Sequence, residues 1–223
     1  MTIATTDLGL SAVAAIGLGG TAAGIVASRC AQRSFGVSLH PALTIASCVT
    51  IAAAGVLRLG DSAYLAPLLA FGWAGVVISG VDLRTHLIPT RLLRAVAAAA
   101  IGLVCGAGAI DAGFAGVARA VAAAAIGGIV GWGVMHLVWL AARGDLGYGD
   151  VRLGGYLGMH LGLGGLTTVL EGLLAGFAIA ALVGAAGVVV LRRGSGHRFA
   201  LGPSLVAGAL TVIWWSAPAG LAT

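Results

Sequence analysis

Residues 143–164 read Arg143-Gly-Asp-Leu-Gly-Tyr-Gly-Asp-Val-Arg-Leu-Gly-Gly-Tyr-Leu-Gly-Met-His-Leu-Gly-Leu-Gly164. The first half, through Asp150, is the most polar stretch between two long apolar runs. The second half, Val151 to Gly164, is an apolar run of 14 residues, roughly 21 Å of helix against a hydrocarbon layer of about 30 Å. If this short run crosses a bilayer, the chain has eight segments. If it is re-entrant, everything after it changes sides.

The surrounding composition makes a bilayer the relevant solvent. Of 223 residues, 60% are hydrophobic and 9% charged, with a mean hydropathy of +1.08; soluble domains are far more charged. Apolar runs of near-spanning length fall at about 8–28, 41–57, 63–81, 92–110, 115–142, 166–191 and 199–216. The expected fold is all-α, a polytopic membrane helix bundle of about eight segments. No hydrophilic stretch is long enough to fold alone, so residues 1–223 form one integral-membrane domain. The start of the chain lacks the basic region of a cleaved signal peptide, and the first run is expected to remain as a membrane helix.

Charge placement decides the segment count. All 12 basic residues are arginines. With the short run crossing, Arg29, Arg33, Arg84, Arg91, Arg94, Arg143, Arg152, Arg192, Arg193 and Arg198 share one side, and only Arg58 and Arg119 lie on the other. The positive-inside rule then places the ten-arginine face in the cytoplasm and both termini outside. The arginines form no basic tract, which argues against nucleic acid as a partner and for the lipid bilayer. Gly-x-x-x-Gly spacing recurs at Gly20/Gly24, Gly102/Gly106, Gly127/Gly131 and Gly172/Gly176, and runs through Gly154, Gly158 and Gly162. This predicts close helix approach, with the short helix clamped between its neighbours.

With that topology two carboxylates reach the same boundary. Asp150 stands where the glycine-rich loop re-enters apolar sequence, and Asp82 where an apolar run ends in Gly-Val-Asp82-Leu-Arg-Thr-His-Leu-Ile-Pro89. An acidic side chain at such a depth is expensive and marks a functional position. Helix capping is a competing explanation for Asp150, which precedes a helix. It explains Asp82 poorly, because a negative charge closing a helix opposes the macrodipole. Two like charges a few ångströms apart in low dielectric cannot both ionise, so the pair would share one proton and titrate as a unit. Such a dyad can activate water for attack on a peptide carbonyl with no metal and no cofactor. Gly147 and Gly149 are expected to form an αL-permissive loop free of side chains, which a substrate backbone could approach. Pro89 is expected to stiffen the loop after Asp82, with Ile88 held extended.

The motifs also carry a family resemblance. Gly147-Tyr-Gly-Asp150-Val-Arg-Leu resembles the Gly-x-Gly-Asp-x-Lys-Leu signature of type IV prepilin peptidases, membrane aspartic proteases of the GxGD type. Asp82-Leu-Arg-Thr-His-Leu-Ile-Pro89 resembles the family's first-aspartate motif. Phe199-Ala-Leu-Gly-Pro-Ser-Leu-Val-Ala-Gly208 is similar to its C-terminal Gly-Pro segment, and Gly24-Ile-Val-Ala-Ser-Arg29 is a faint echo of its first-helix end. The resemblance runs from Gly80 to Gly208. It implies Asp82 and Asp150 as the catalytic pair, prepilins, pseudopilins or Flp-type pilins as substrates, and removal of their short basic leader at the cytoplasmic face of a bacterial inner membrane. Arg152 stands where the family usually has lysine. The connection 29–40 is too short for the cysteine-bearing insert linked to N-methylation, which implies peptidase activity without that module.

The remaining polar residues have plainer readings. Asp145 reads as a solvated loop acid, His86 as a loop histidine that could tune the pair, and Asp111 and Glu171 as interfacial. His136 and His160 fall inside membrane segments without ligand spacing, so no metal site is expected. Cys30, Cys48 and Cys105 read as packing residues and the tryptophans as packing or interface anchors. Two alternatives remain open. A presenilin or signal-peptide-peptidase type of GxGD protease would pair a Tyr-Asp with the loop, where this chain has Val81-Asp82. A small proton- or cation-coupled transporter could use the two carboxylates, although it gives the Ile-Pro and Gly-Pro motifs no task.

Overall fold

The computed structural model describes residues 10–60, 62–143, 145–189 and 200–215. These residues are helical, with no strand among them. α1 is Leu10–Phe35, α2 Pro41–Leu59, α3 Leu65–Thr85, α4 Thr90–Ala141, α5 Tyr148–Leu161, α6 Leu166–Val189 and α7 Gly202–Trp215, with a single 3₁₀ turn after α5. Four of them, α2, α3, α4 and α6, are long and apolar enough to cross a membrane.

The 52 residues of α4 are not one rod. Ala112 (φ −148°) and Gly113 (φ +57°, ψ −140°) leave helical geometry, and the positive φ is one that glycine adopts without a Cβ penalty. The chain reverses there, because the Gly108 and Gly116 backbones lie against each other. α4 is therefore two antiparallel arms, matching the separate runs at 92–110 and 115–142. Asp111 and Arg119 flank the reversal, 3.8 Å apart on the surface.

α3 occupies the centre, touching α1, α2, α4 and α7. Its Phe71, Ile78 and Val81 are fully buried beside Met135 of α4, Val151, Leu153, Leu157 and Leu161 of α5, and Leu205 of α7. Glycine backbones set the closest approaches. Gly127 meets Gly158 and Gly131 meets Gly154, while a Cβ on Gly162 would stand 2.5 Å from Ala123 O. The short α5 is thus pressed backbone to backbone on the second arm of α4, as its glycine stripe predicts. Gly20 and Gly24 pack likewise on Val49 and Ile45 of α2, and Gly176 on Leu205 and Gly208 of α7. Gly102 and Gly106 depart from the expectation: a Cβ on either meets nothing within 4 Å, so their spacing joins no helices among the described residues.

The two ends of the bundle have distinct composition. One gathers the ends of α1 and α3 with the starts of α2, α4, α5 and α7: Gly80 packs on Leu39, Gly149 on Ile88, and Gly202 on Asp82. At the other, Arg58 donates to Trp215 O at 3.1 Å, and Tyr64 packs with Val104, Ala107, Ala120 and Leu163. Arg29, Arg33, Arg84, Arg91, Arg94, Arg143 and Arg152 belong to the first end, Arg58 and Arg119 to the second. Arg192, Arg193 and Arg198 lie outside the described residues.

The glycine contacts separate packing from coincidence by mutation. Gly158→Leu is expected to destabilise the detergent-solubilised protein by at least about 2 kcal/mol, the cost of overpacking a rigid contact. Gly102→Leu, in open space, is expected to leave thermal unfolding unchanged; equal melting shifts for the two would contradict the packing.

Candidate active site

Asp82 lies one turn from the end of α3 and is 4% exposed. A carboxylate so enclosed by apolar helices needs a donor, and it has one: Gly202 N–H donates to Asp82 Oδ2 at 3.0 Å. The contact requires a glycine, because a Cβ at 202 would stand 2.7 Å from that oxygen. After Asp82 the helix closes when His86, in the left-handed region (φ 51°, ψ 32°), donates its N–H to Asp82 O at 2.8 Å. Pro89 then takes the extended N-cap geometry (φ −65°, ψ 123°) from which α4 starts. Pro89 thus ends the four-residue connection 86–89 between α3 and α4.

Asp150 sits in the first turn of α5, half-buried. Its N–H donates to Gly147 O at 3.0 Å. Gly147 is extended (φ −66°, ψ 133°) and Gly149 is already helical, so neither uses the left-handed freedom expected of the loop. Their value is smallness. A Cβ on Gly149 would come within 3.1 Å of the Ile88 Cβ, and one on Gly147 within 3.3 Å of Asp150 Oδ2. The glycines let the start of α5 lie against the connection that follows Asp82. Asp150 thus lies at the same end of the bundle as Asp82 and the exposed His86.

Arg152 points away from both carboxyls. Its Nη1 donates to Thr90 Oγ1 at 2.6 Å, and its guanidinium lies 5.0 Å above the centre of the Tyr148 ring, a cation–π arrangement. It ties the first turn of α5 to the first turn of α4. A planar guanidinium can stack on the ring and donate sideways at once, which an ammonium does less well. Tyr148 in turn stands edge-on to Trp139 and His136.

The structure therefore brings together Asp82, Asp150, Gly147, Gly149, Pro89 and His86 at one end of the bundle, with Arg152 bracing their scaffold. Sequence reasoning missed Thr90 and Tyr148 as partners of Arg152. It also missed Gly202 as the donor to Asp82, although Gly202-Pro203 opening the last apolar run signals a helix start. Phe199, the first residue of that motif, lies outside the described residues. Asp145 is exposed. His160 is buried away from the pair, 4.3 Å from the Phe71 ring, with Nδ1 3.1 Å from Tyr156 O. His136 stacks between Trp132 and Trp139. Among the described residues no three His, Cys, Asp or Glu side chains gather as metal ligands.

No protein-family model, curated protein or solved structure matches this chain.

The brace can be measured by a double-mutant cycle. Arg152→Ala and Thr90→Ala are expected to destabilise the folded protein non-additively, with a coupling of up to about 1 kcal/mol for a solvent-facing charged hydrogen bond. Strict additivity would show that the two side chains do not hold each other.

Proposed function

We propose that the protein is an intramembrane aspartic endopeptidase of the type IV prepilin peptidase kind, with Asp82 and Asp150 as its catalytic pair. The observation that carries this reading is the convergence of the two carboxyls. They come from separate helices, 68 positions apart in the chain, and lie at the same end of an apolar bundle, where Gly149 beside Asp150 packs on Ile88 of the connection that follows Asp82. Neither has an arginine partner among the described residues, so neither is explained as half of an ion pair. A shielded pair of carboxyls without counter-ions is suited to sharing one proton.

The chemistry follows from that shared proton. The ionised carboxylate takes a proton from water as the water oxygen bonds to the peptide carbonyl carbon. The protonated carboxyl gives its proton to the carbonyl oxygen, forming a neutral tetrahedral diol. As the C–N bond breaks, the first carboxyl passes its proton to the nitrogen and a diol hydroxyl returns one to the second. The cycle ends with the pair as it began and needs no cofactor.

In this reading the short α5 completes eight segments, the two arms of α4 counting separately, and the arginine-rich end faces the cytoplasm. The substrate is then a precursor whose basic leader remains in the cytoplasm while one apolar helix enters the bilayer, as in prepilins, pseudopilins and Flp-type pilins. The short connection between α1 and α2 supports leader removal without N-methylation by this chain. The membrane is the inner membrane of a bacterium.

Co-expression with such a precursor tests the reading. Wild type is expected to release the mature form, and Asp82→Ala or Asp150→Ala to leave full-length precursor in the membrane, with cleavage slowed at least about 100-fold. Normal processing by either variant would remove the pair from the mechanism.

A further inference from the structure

The two carboxyls are held differently. Asp82 accepts the Gly202 N–H at 3.0 Å in buried surroundings, and Gly202 is the first residue of the 14-residue helix α7, whose opening N–H groups have no helical acceptor. No neighbour can take over this task. Pro203 has no N–H, and the N–H groups of Ser204 and Leu205 are both engaged by Leu201 O at 3.1 Å. Among the described residues nothing donates to the carboxyl of Asp150, since Arg152 is directed to Thr90 and Tyr148. Asp150 has the favourable N-terminus of its own α5, whereas at Asp82 the N-terminus of α7 is offset by the C-terminus of α3. The direct N–H bond outweighs this dipole difference, because a donor to a carboxylate stabilises the ionised form specifically. The titratable groups near Asp82 are His86 and Asp150, and a neutral Asp150 no longer opposes charge on Asp82.

We infer that Gly202 is a positioning residue that decides which member of the pair carries the charge: its N–H keeps Asp82 as the ionised general base and leaves the shared proton on Asp150, the general acid. The inference rests on the peptidase reading. In the reaction, water loses its proton to Asp82 as its oxygen bonds to the carbonyl carbon, while Asp150 protonates the carbonyl oxygen. On C–N cleavage Asp82 passes that proton to the leaving nitrogen, and a diol hydroxyl restores the proton of Asp150. The position needs an N–H, which excludes proline, and no Cβ where Asp82 Oδ2 lies, which selects glycine.

The pH profile of kcat/KM reports this assignment, because its acidic limb follows the first proton lost from the pair and its basic limb the second. The measurement uses the purified full-length protein and a recombinant prepilin-type precursor in detergent. In Gly202→Ala, the Cβ displaces the carboxylate from the N–H. The acidic limb is expected to move up by about one pH unit, as for loss of one charge-assisted hydrogen bond, with the basic limb unmoved and KM unchanged. Should Gly202→Ala fail to fold, replacing the 202 amide by a backbone ester removes the N–H without adding volume and is expected to give the same shift. Movement of the basic limb alone would place the proton on Asp82 and reverse the assignment. An unmoved profile would reduce Gly202 to packing and overturn the inference while leaving the peptidase reading intact. Failure of wild type to cut the precursor would instead remove that reading and the inference with it.

Discussion

A carboxylate enclosed by apolar helices is tolerated only where a donor reaches it, and in this bundle the donor to Asp82 comes from the other end of the chain. Gly202 N–H bonds Asp82 Oδ2 across 120 residues. That bond fixes several features at once. α7 must begin at the depth where α3 ends, and α7 must start with glycine. The central position of α3, packed on α1, α2, α4 and α7, follows from the same requirement, since Asp82 is sheltered only if helices surround it.

The second constraint is backbone contact between α4 and α5. Gly127, Gly131, Gly154 and Gly158 bring two helices together without intervening side chains, which leaves the short α5 little freedom to rotate or slide. Asp150 inherits that rigidity from the helix it opens. Arg152 adds a tie to Thr90 and Tyr148, and Gly149 seats the turn on Ile88. The pair is thus set by three elements: α3 places one carboxyl, α5 the other, and α7 supplies the donor that makes them unequal. In the proposed mechanism, two chemically identical residues acquire different roles through one backbone amide.

Much of this was legible in the residues. Hydropathy marks the helices, and the break in α4 separates two apolar runs at Ala112 and Gly113, where the sequence also changes from one run to the next. Arginine placement orders the ends consistently, because topology is a property of local charge. The aspartates announce themselves by their cost. What stayed hidden is pairwise geometry. Gly102/Gly106 has the same spacing as Gly127/Gly131, and nothing in the spacing says that only the latter meets a partner helix. The glycines around Asp150 read as conformational freedom when they serve close approach, since both uses require the same missing Cβ. Arg152 reads only as a basic residue in the place of a lysine, and nothing local shows that its guanidinium finds the Thr90 hydroxyl and the Tyr148 ring. The Gly202 bond joins residues too distant in the chain for any local pattern to link them.

The central claim is that Asp82 and Asp150 face each other in the folded bundle, and a cysteine pair tests it most directly. In a background lacking Cys30, Cys48 and Cys105, Asp82→Cys and Asp150→Cys would be combined and treated in membranes with a short thiol-to-thiol cross-linker. The account predicts an intramolecular link joining the peptide that contains position 82 to the one that contains position 150, identified by mass spectrometry. It also predicts no such link when the second cysteine is instead placed at Asp111, at the opposite end. Absence of the 82–150 link while each single cysteine reacts with a monofunctional reagent, or an equally efficient link from 82 to 111, would contradict it.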